Sequence, residues 1–174
     1  MRLAEQDLVA STSESKGVGR PQQLWDLTEL AQARFPDTHA SLTTQILSIV
    51  RSHLGDAALN TIIGVREAET RAQYETELSQ QPDLRGKLAR LAALRSEEGY
   101  MADWHEQEDG SFLFIENHCP ICAAATACAG FCRAELDVFK AALGPTVSVM
   151  RGEHIVAGGR RCTYVIRDVT TQPN

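Results

Sequence analysis

The stretch "YMADWHEQEDGSFLFIEN", residues 100–117, decides the fold class, because the spacing of apolar residues changes there from helical to extended. Its centre, Asp109-Gly110, is a dipeptide typical of tight hairpin turns. Residues 146–169 repeat the extended pattern and turn around 157–159. Two hairpins of this kind predict an antiparallel sheet in the last third of the chain.

Before this stretch, the sequence predicts helices separated by clear stop and start residues. The predicted helices cover residues 30–35, 41–54, 57–79 and 84–99, and a further one follows the cysteines at 133–144. Pro36 and Gly55 end the first two, while Asp56 and Asp83 can cap the next two. Helices and an antiparallel sheet in separate parts of the chain predict an α+β fold.

The N-terminal segment predicts only part of a domain. Residues 1–9, "MRLAEQDLV", have the pattern of the last turns of a helix. Residues 8–28 predict a hairpin whose glycine-rich loop carries Lys16 and Arg20. One helix end and one hairpin bury too little apolar surface to form a core of their own. We therefore expect this chain to begin inside a domain.

Length, charge and hydropathy limit the classes of protein that fit. The 174 residues suffice for one core, or for one domain with a small appendage. The net charge of −6 disfavours nucleic-acid binding except through a local basic patch. No apolar run is long enough to span a bilayer, and the N-terminus lacks the pattern of a secretory signal. We therefore expect a cytoplasmic protein with reduced thiols.

Four of the five cysteines lie in "ENHCPICAAATACAGFC", residues 116–132, and the fifth is Cys162. Cysteine is often a small buried hydrophobe, so these positions fit a packed helix and strand. Cys119 and Cys122 also have the C-x2-C spacing common in zinc and iron–sulfur sites, but no second C-x2-C follows. An odd number of cysteines excludes complete disulfide pairing within one chain. Spacing alone leaves the structural and the metal-binding interpretations open.

Several segments spread along the chain together resemble one family of regulators. They are "GVGRPQQLWDLTE", "FPDTHASL", "LRSEEGYMADW", "FLFIENHCPICAAA", "CAGFCRAELDVFKAALG" and "EHIVAGGRRCTYVI". The family is that of the iron–sulfur winged-helix transcriptional regulators of the SufR type, often grouped with the DeoR or ArsR classes. The resemblance covers nearly the whole chain, and the cysteine block with "AGGRRCTYVI" is its most specific part.

The resemblance implies a dimeric regulator that senses redox or iron status and releases DNA when its cluster is lost or oxidised. It implies an iron–sulfur cluster, [4Fe–4S] before other types, on Cys119, Cys132 and Cys162. Thr146 stands where some members place a further cysteine. The fourth ligand is thus open, and its candidates are Cys122, Cys128, His154 or no protein group. Cys122 and Cys128 are predicted to be structural.

The resemblance also divides the chain into domains. It implies a remnant of a winged helix in residues 1–29, namely the recognition-helix end and the wing, with Lys16 and Arg20 as DNA contacts. Residues 30–174 are predicted to form the dimerisation and sensor domain. The family's helix-turn-helix would precede Met1, and with it the base-contacting residues.

Two other functions and one exclusion complete the sequence-based predictions. The alternatives are a sensor and dimerisation module that does not bind DNA, and a structural domain stabilised by zinc. An enzyme is not expected, because the sequence shows no nucleophile–base pairing and no glycine-rich phosphate loop. Asp109, Glu116 and Glu153 are assigned to turns and solvent-facing strand positions.

Overall fold

A computed structural model of the chain describes residues 2–14, 22–32 and 38–170. The chain divides into two compact units, Met1–His39 and Ala40–Asn174. The sequence put its domain boundary between residues 29 and 30. Helices and antiparallel sheets make up the fold, so the predicted α+β class is confirmed.

The first unit consists of short helices on either side of a hairpin. Its elements are α1 (Arg2–Glu5), β1 (Val9–Glu14), β2 (Gln22–Leu27) and α2 (Glu29–Gln32). β1 and β2 pair antiparallel, with Val9 opposite Leu27, so the predicted helix end and hairpin are confirmed. Lys16 and Arg20 lie outside the described residues. Trp25 on β2 is exposed, as are its apolar neighbours on that strand.

The second unit opens with a long helix that is broken in the middle. α3 (His39–Ser79) contains Gly55 with φ 80° and ψ 170°, which is not helical. Only glycine adopts such angles readily, because a Cβ atom would clash with the backbone. The predicted break between two helices at Gly55 is therefore confirmed.

A second helix follows and is in contact with the first strand of an antiparallel sheet. In α4 (Leu84–Glu97), the backbone N–H of Gly86 donates to the Asp83 carboxylate at 2.8 Å, the predicted cap. The next elements are β3 (Ala102–Glu106), β4 (Phe112–Glu116), α5 (Cys122–Ala127), α6 (Gly130–Leu143), β5 (Val147–Arg151), a 3₁₀ turn (Ile155–Ala157) and β6 (Cys162–Asp168). Both predicted hairpin regions are thus strands.

The sheet has the order β3-β4-β6-β5, and every neighbouring pair is antiparallel. One face of β4 and β6 is buried, because alternate residues such as Phe114 and Tyr164 point into the core. Phe139 of α6 packs edge-on to Phe114, with ring centroids 5.7 Å apart. Side chains from α3, α4, α6 and the sheet together form this main core.

A smaller core lies between α3 and the two helices that carry cysteines. Leu47 and Leu59, on opposite sides of the Gly55 break, belong to it together with Ala125 of α5 and Phe131 of α6. The break thus lets both segments of α3 contribute to one cluster. No described helix combines the length and apolar character needed to cross a bilayer.

Candidate metal centre

One end of the sheet brings Cys119 and Cys162 into the same region. Cys162 is the first residue of β6 and pairs with Glu116, the last residue of β4. Cys119 lies in the loop that leaves β4, three residues after Glu116. Antiparallel pairing of β4 and β6 therefore brings two cysteines that are far apart in the sequence to the same end of the sheet.

Two helix starts bring further cysteines to this end of the sheet. α5 begins at Cys122, and Cys132 lies in the first turn of α6. Arg151, the last residue of β5, donates from Nη2 to the carbonyl oxygen of Cys132 at 2.7 Å. This bond ties the start of α6 to the end of β5, which lies beside β6 in the sheet.

Electrostatic interactions show that these cysteines lie within range of one another. Burial raises the pKa of the Cys119 thiol to about 12, with smaller contributions from negative charge on Glu135, Cys122 and Cys162. Burial also raises the pKa of Cys132, and negative charge on Cys162 and Cys122 adds to it. Repulsion of this kind weakens with distance, so these thiols lie in the same region of the molecule. Metal binding must displace the thiol protons.

The thiols are not arranged around the position of a single metal ion. Among residues 2–14, 22–32 and 38–170, no three histidine, cysteine, aspartate or glutamate side chains are placed to hold a metal ion. All five cysteines are free thiols. Zinc needs thiolates about 3.8 Å apart, given a Zn–S bond of about 2.3 Å, whereas an iron–sulfur cluster binds its thiolates through different irons.

The candidates for a fourth ligand occupy different surroundings. Cys122 lies in electrostatic range of both Cys119 and Cys132, as described above. Cys128 ends α5 and is partly buried against the smaller core. His154 precedes the 3₁₀ turn, and burial followed by the positive charge of Arg151 lowers its pKa, so its ring is neutral at neutral pH.

Cys128 lies between the two helices of the cysteine segment. It has extended angles of φ −148° and ψ 104°, and α6 begins at Gly130. Cys128 and Cys132 therefore do not share a helix, and their spacing of four does not place them on one face.

A buried network of charges lies behind the cysteines and centres on Arg95 of α4. Its guanidinium is 1% exposed and bonds to Glu116 at 2.6 Å, to Glu98 at 3.1 Å and to Glu135 at 3.3 Å. The Tyr100 hydroxyl also donates to Glu135, and the Arg95 guanidinium stacks on the Tyr100 ring. The carboxylates compensate the buried positive charge.

The network reaches the cysteine site through β6. The Tyr164 hydroxyl donates to the second oxygen of Glu116 at 3.3 Å, and Arg151 donates to the same hydroxyl at 3.4 Å. A continuous path of polar contacts therefore runs from Arg95 through Glu116, Tyr164 and Arg151 to the backbone of Cys132.

No similarity to a known protein identifies this arrangement. Comparisons with protein-family models, with curated proteins and with solved structures found no match.

The sequence-based predictions missed this network and misplaced one of its residues. Glu116 was assigned to a solvent-facing position, but its side chain is 2% exposed and ion-paired. The signal was present, since Phe112, Phe114 and Glu116 alternate along β4 and share a face. Asp109 does lie in its turn, where Ser111 and Arg167 bond to it.

The positions of Arg95 and Glu135 in the sequence also indicate burial. Arg95 continues the stripe of Leu88 and Leu91 along α4, and Glu135 lies one turn before Phe139 on α6. Charged residues at apolar stripe positions are expected to be paired when buried. Spacing predicts that they are inside, but it does not name their partners.

Proposed function

We propose that this chain is the sensor part of a transcriptional regulator that binds an iron–sulfur cluster and responds to redox or iron status. One observation carries the proposal: near one end of the sheet, Cys122 and Cys162 each lie within electrostatic range of both Cys119 and Cys132. Iron–sulfur clusters are held by cysteine thiolates, and a four-cysteine set suits a [4Fe–4S] cluster.

The residues at the site fit such a group. Its donors are thiols, the soft ligands that iron–sulfur clusters require. Arg151, which bonds to the carbonyl oxygen of Cys132, also has a buried Nε–H that makes no hydrogen bond. Cys122 is the fourth ligand that the proposal favours, because it neighbours both Cys119 and Cys132. Binding requires the thiols to lose their protons and to close on the cluster. The cluster would supply a redox-sensitive, oxygen-labile centre.

The test is a spectrum with iron and sulfide analysis on protein purified without oxygen. We expect a broad brown absorption at about 400 nm, typical of thiolate-bound clusters. Cys119→Ser, Cys132→Ser and Cys162→Ser should each abolish or strongly reduce it, because each removes a ligand. Cys122→Ser should lower the cluster content if Cys122 is the fourth ligand.

Cys128→Ser is the matched control. It removes a cysteine from the same segment, but one at the end of α5 that the proposal does not place on the cluster. We expect it to keep the full iron and sulfide content. Colourless wild-type protein without iron after reconstitution contradicts the proposal, and one equivalent of tightly held zinc favours the alternative of a zinc-stabilised domain.

DNA binding and dimerisation complete the proposed regulator. The β1–β2 hairpin has the form of a wing, and Lys16 and Arg20 are the proposed phosphate or minor-groove contacts. Leu42, Ile46 and Ile49 recur at helical spacing on α3 and are each at least half exposed. Apolar faces of this kind mark interaction sites, and we propose that a second copy of the chain covers this one.

A sensor and dimerisation module without DNA affinity is the second candidate. The net charge of −6 favours it, because affinity for DNA grows with the number of phosphates that a protein neutralises. Selection from a random duplex library at low salt discriminates the two. An enriched sequence that the Lys16→Gln/Arg20→Gln variant no longer retains supports DNA binding, whereas no enrichment supports the module.

A further inference from the structure

Arg151 holds an unusual position beside the cysteine site. Its side chain is partly buried, and its guanidinium carbon lies 5.3 Å from the centre of the Tyr164 ring. Nη2 donates to the carbonyl oxygen of Cys132 and to the Tyr164 hydroxyl. These contacts fix the guanidinium plane between the start of α6 and strand β6.

The Nε–H donor of this guanidinium is buried and has no partner among the described residues. Within residues 2–14, 22–32 and 38–170, Nε of Arg151 is the buried side-chain nitrogen or oxygen that makes no hydrogen bond. Buried donors are nearly always paired in folded proteins, so an exception calls for an explanation. A charged donor is especially costly to leave unpaired.

The charge of Arg151 also lacks a carboxylate among the described residues. The ion pairs formed in this part of the chain include Arg95, Arg161 and Arg167, but not Arg151. The groups that act on its guanidinium electrostatically are Tyr164, Cys132 and Cys162. Arg151 is therefore a fixed positive charge near the Tyr164 hydroxyl and the thiols of Cys132 and Cys162.

We propose that the Nε–H of Arg151 donates a hydrogen bond to a sulfur of the bound iron–sulfur cluster, either a ligand thiolate or a cluster sulfide, and thereby raises its reduction potential. This inference rests on the proposed function. Hydrogen bonds to the sulfurs and nearby charge are among the factors that set cluster potentials. Reduction adds negative charge, which a cation and an N–H donor stabilise.

The test compares midpoint potentials of anaerobically purified Arg151→Met and Arg151→Lys with wild type. Arg151→Met removes both the charge and the N–H donor, so its potential should be the most negative. Arg151→Lys keeps the charge but has a CH₂ group in place of Nε–H, so its potential should lie between the other two. Arg167→Met is the control, because it removes the same charge from the far end of β6, where Asp109 pairs with it.

The outcomes separate this inference from the proposed function. Wild-type protein without iron and sulfide overturns both. Wild type with a full cluster, and Arg151 variants with unchanged potentials, overturns the role of Arg151 and leaves the cluster in place. If Arg151→Met folds by circular dichroism but retains no cluster, Arg151→Lys decides: a potential more negative than wild type supports the proposal. An equal potential, or loss of the cluster from Arg151→Lys as well, rejects the role of Arg151 in setting the potential.

Discussion

Arg95 shows how a single residue can organise a core. It lies at a position where the stripe of α4 continues the buried Leu88 and Leu91, yet it carries a charge. Burial opposes that charge, but Glu116 and Glu135 hold the pKa of Arg95 well above its ordinary value. Burial in turn raises the pKa of Glu116, although Arg95 opposes the rise. Neither partner suits the core without the other.

Replacing Arg95 should therefore be strongly destabilising. We expect Arg95→Met to lower the free energy of unfolding by about 3–5 kcal/mol, because it leaves carboxylates buried without compensation. Urea denaturation followed by circular dichroism measures the change. Adding Glu116→Gln to this variant should restore part of the loss, since it removes one uncompensated charge.

Arg85→Met is the control for this prediction. Arg85 also lies on α4 and pairs with Glu106 at 2.7 Å, but both side chains are exposed. Exposed ion pairs contribute about 0–1 kcal/mol, so this variant should change stability little. Equal losses from the two substitutions would contradict the buried-network interpretation.

At the scale of the elements, the break in α3 determines which side chains reach the smaller core. Gly55 has a positive φ that no side chain adopts without strain, and nothing lies within 4 Å of a Cβ atom built there. The strain at this position is therefore in the backbone and not in packing. Gly64 lies in the helical part of α3, also with open space around it, and needs no special angles.

These two glycines make a matched pair of substitutions on one helix. We expect Gly55→Ala to lower the free energy of unfolding by about 1–3 kcal/mol, because alanine is strained at those angles. Gly64→Ala should raise it by about 0.5–1 kcal/mol, because alanine is the better helix former. Thermal and urea unfolding measure both. If both variants are stabilised alike, the helix is continuous at Gly55.

For the whole molecule, all three tyrosines lie inside the sheet-and-helix core. Tyr74, Tyr100 and Tyr164 are each at most 2% exposed, and burial is the main cause that raises the pKa of every one of them. They pack around Arg95 and Glu116, so the same network that supports the cysteine site also anchors these rings. Their ionisation is therefore linked to unfolding.

This linkage predicts loss of stability on the alkaline side. A raised pKa in the folded state contributes stability that is present below the unfolded value of about 10 and is lost as pH rises above it. The raised pKa of the partly buried Cys119 thiol acts in the same direction. We expect tyrosinate absorbance to appear in one cooperative step that coincides with loss of circular dichroism. Gradual titration near pH 10 in folded protein contradicts this.

Several features were predictable because they depend on neighbours in the sequence. The Gly55 break, the Asp83 cap and the Asp109-Gly110 turn follow from local backbone chemistry, and each is found. The cysteine site was predictable only in part. Spacing and resemblance named Cys119, Cys132 and Cys162 as ligands. They did not indicate that Cys122 is a better candidate than Cys128 for the fourth ligand.

The sequence by itself thus determined the helices, the strands, their turns and the α+β class, since these follow from periodicity and from caps. Only the tertiary structure decided which thiols come into electrostatic range of one another. It also decided that Glu116 lies opposite Cys162 inside the core and not in solvent. The physical reason is that such distances depend on strand register and helix packing between segments far apart in the chain, which no local propensity specifies.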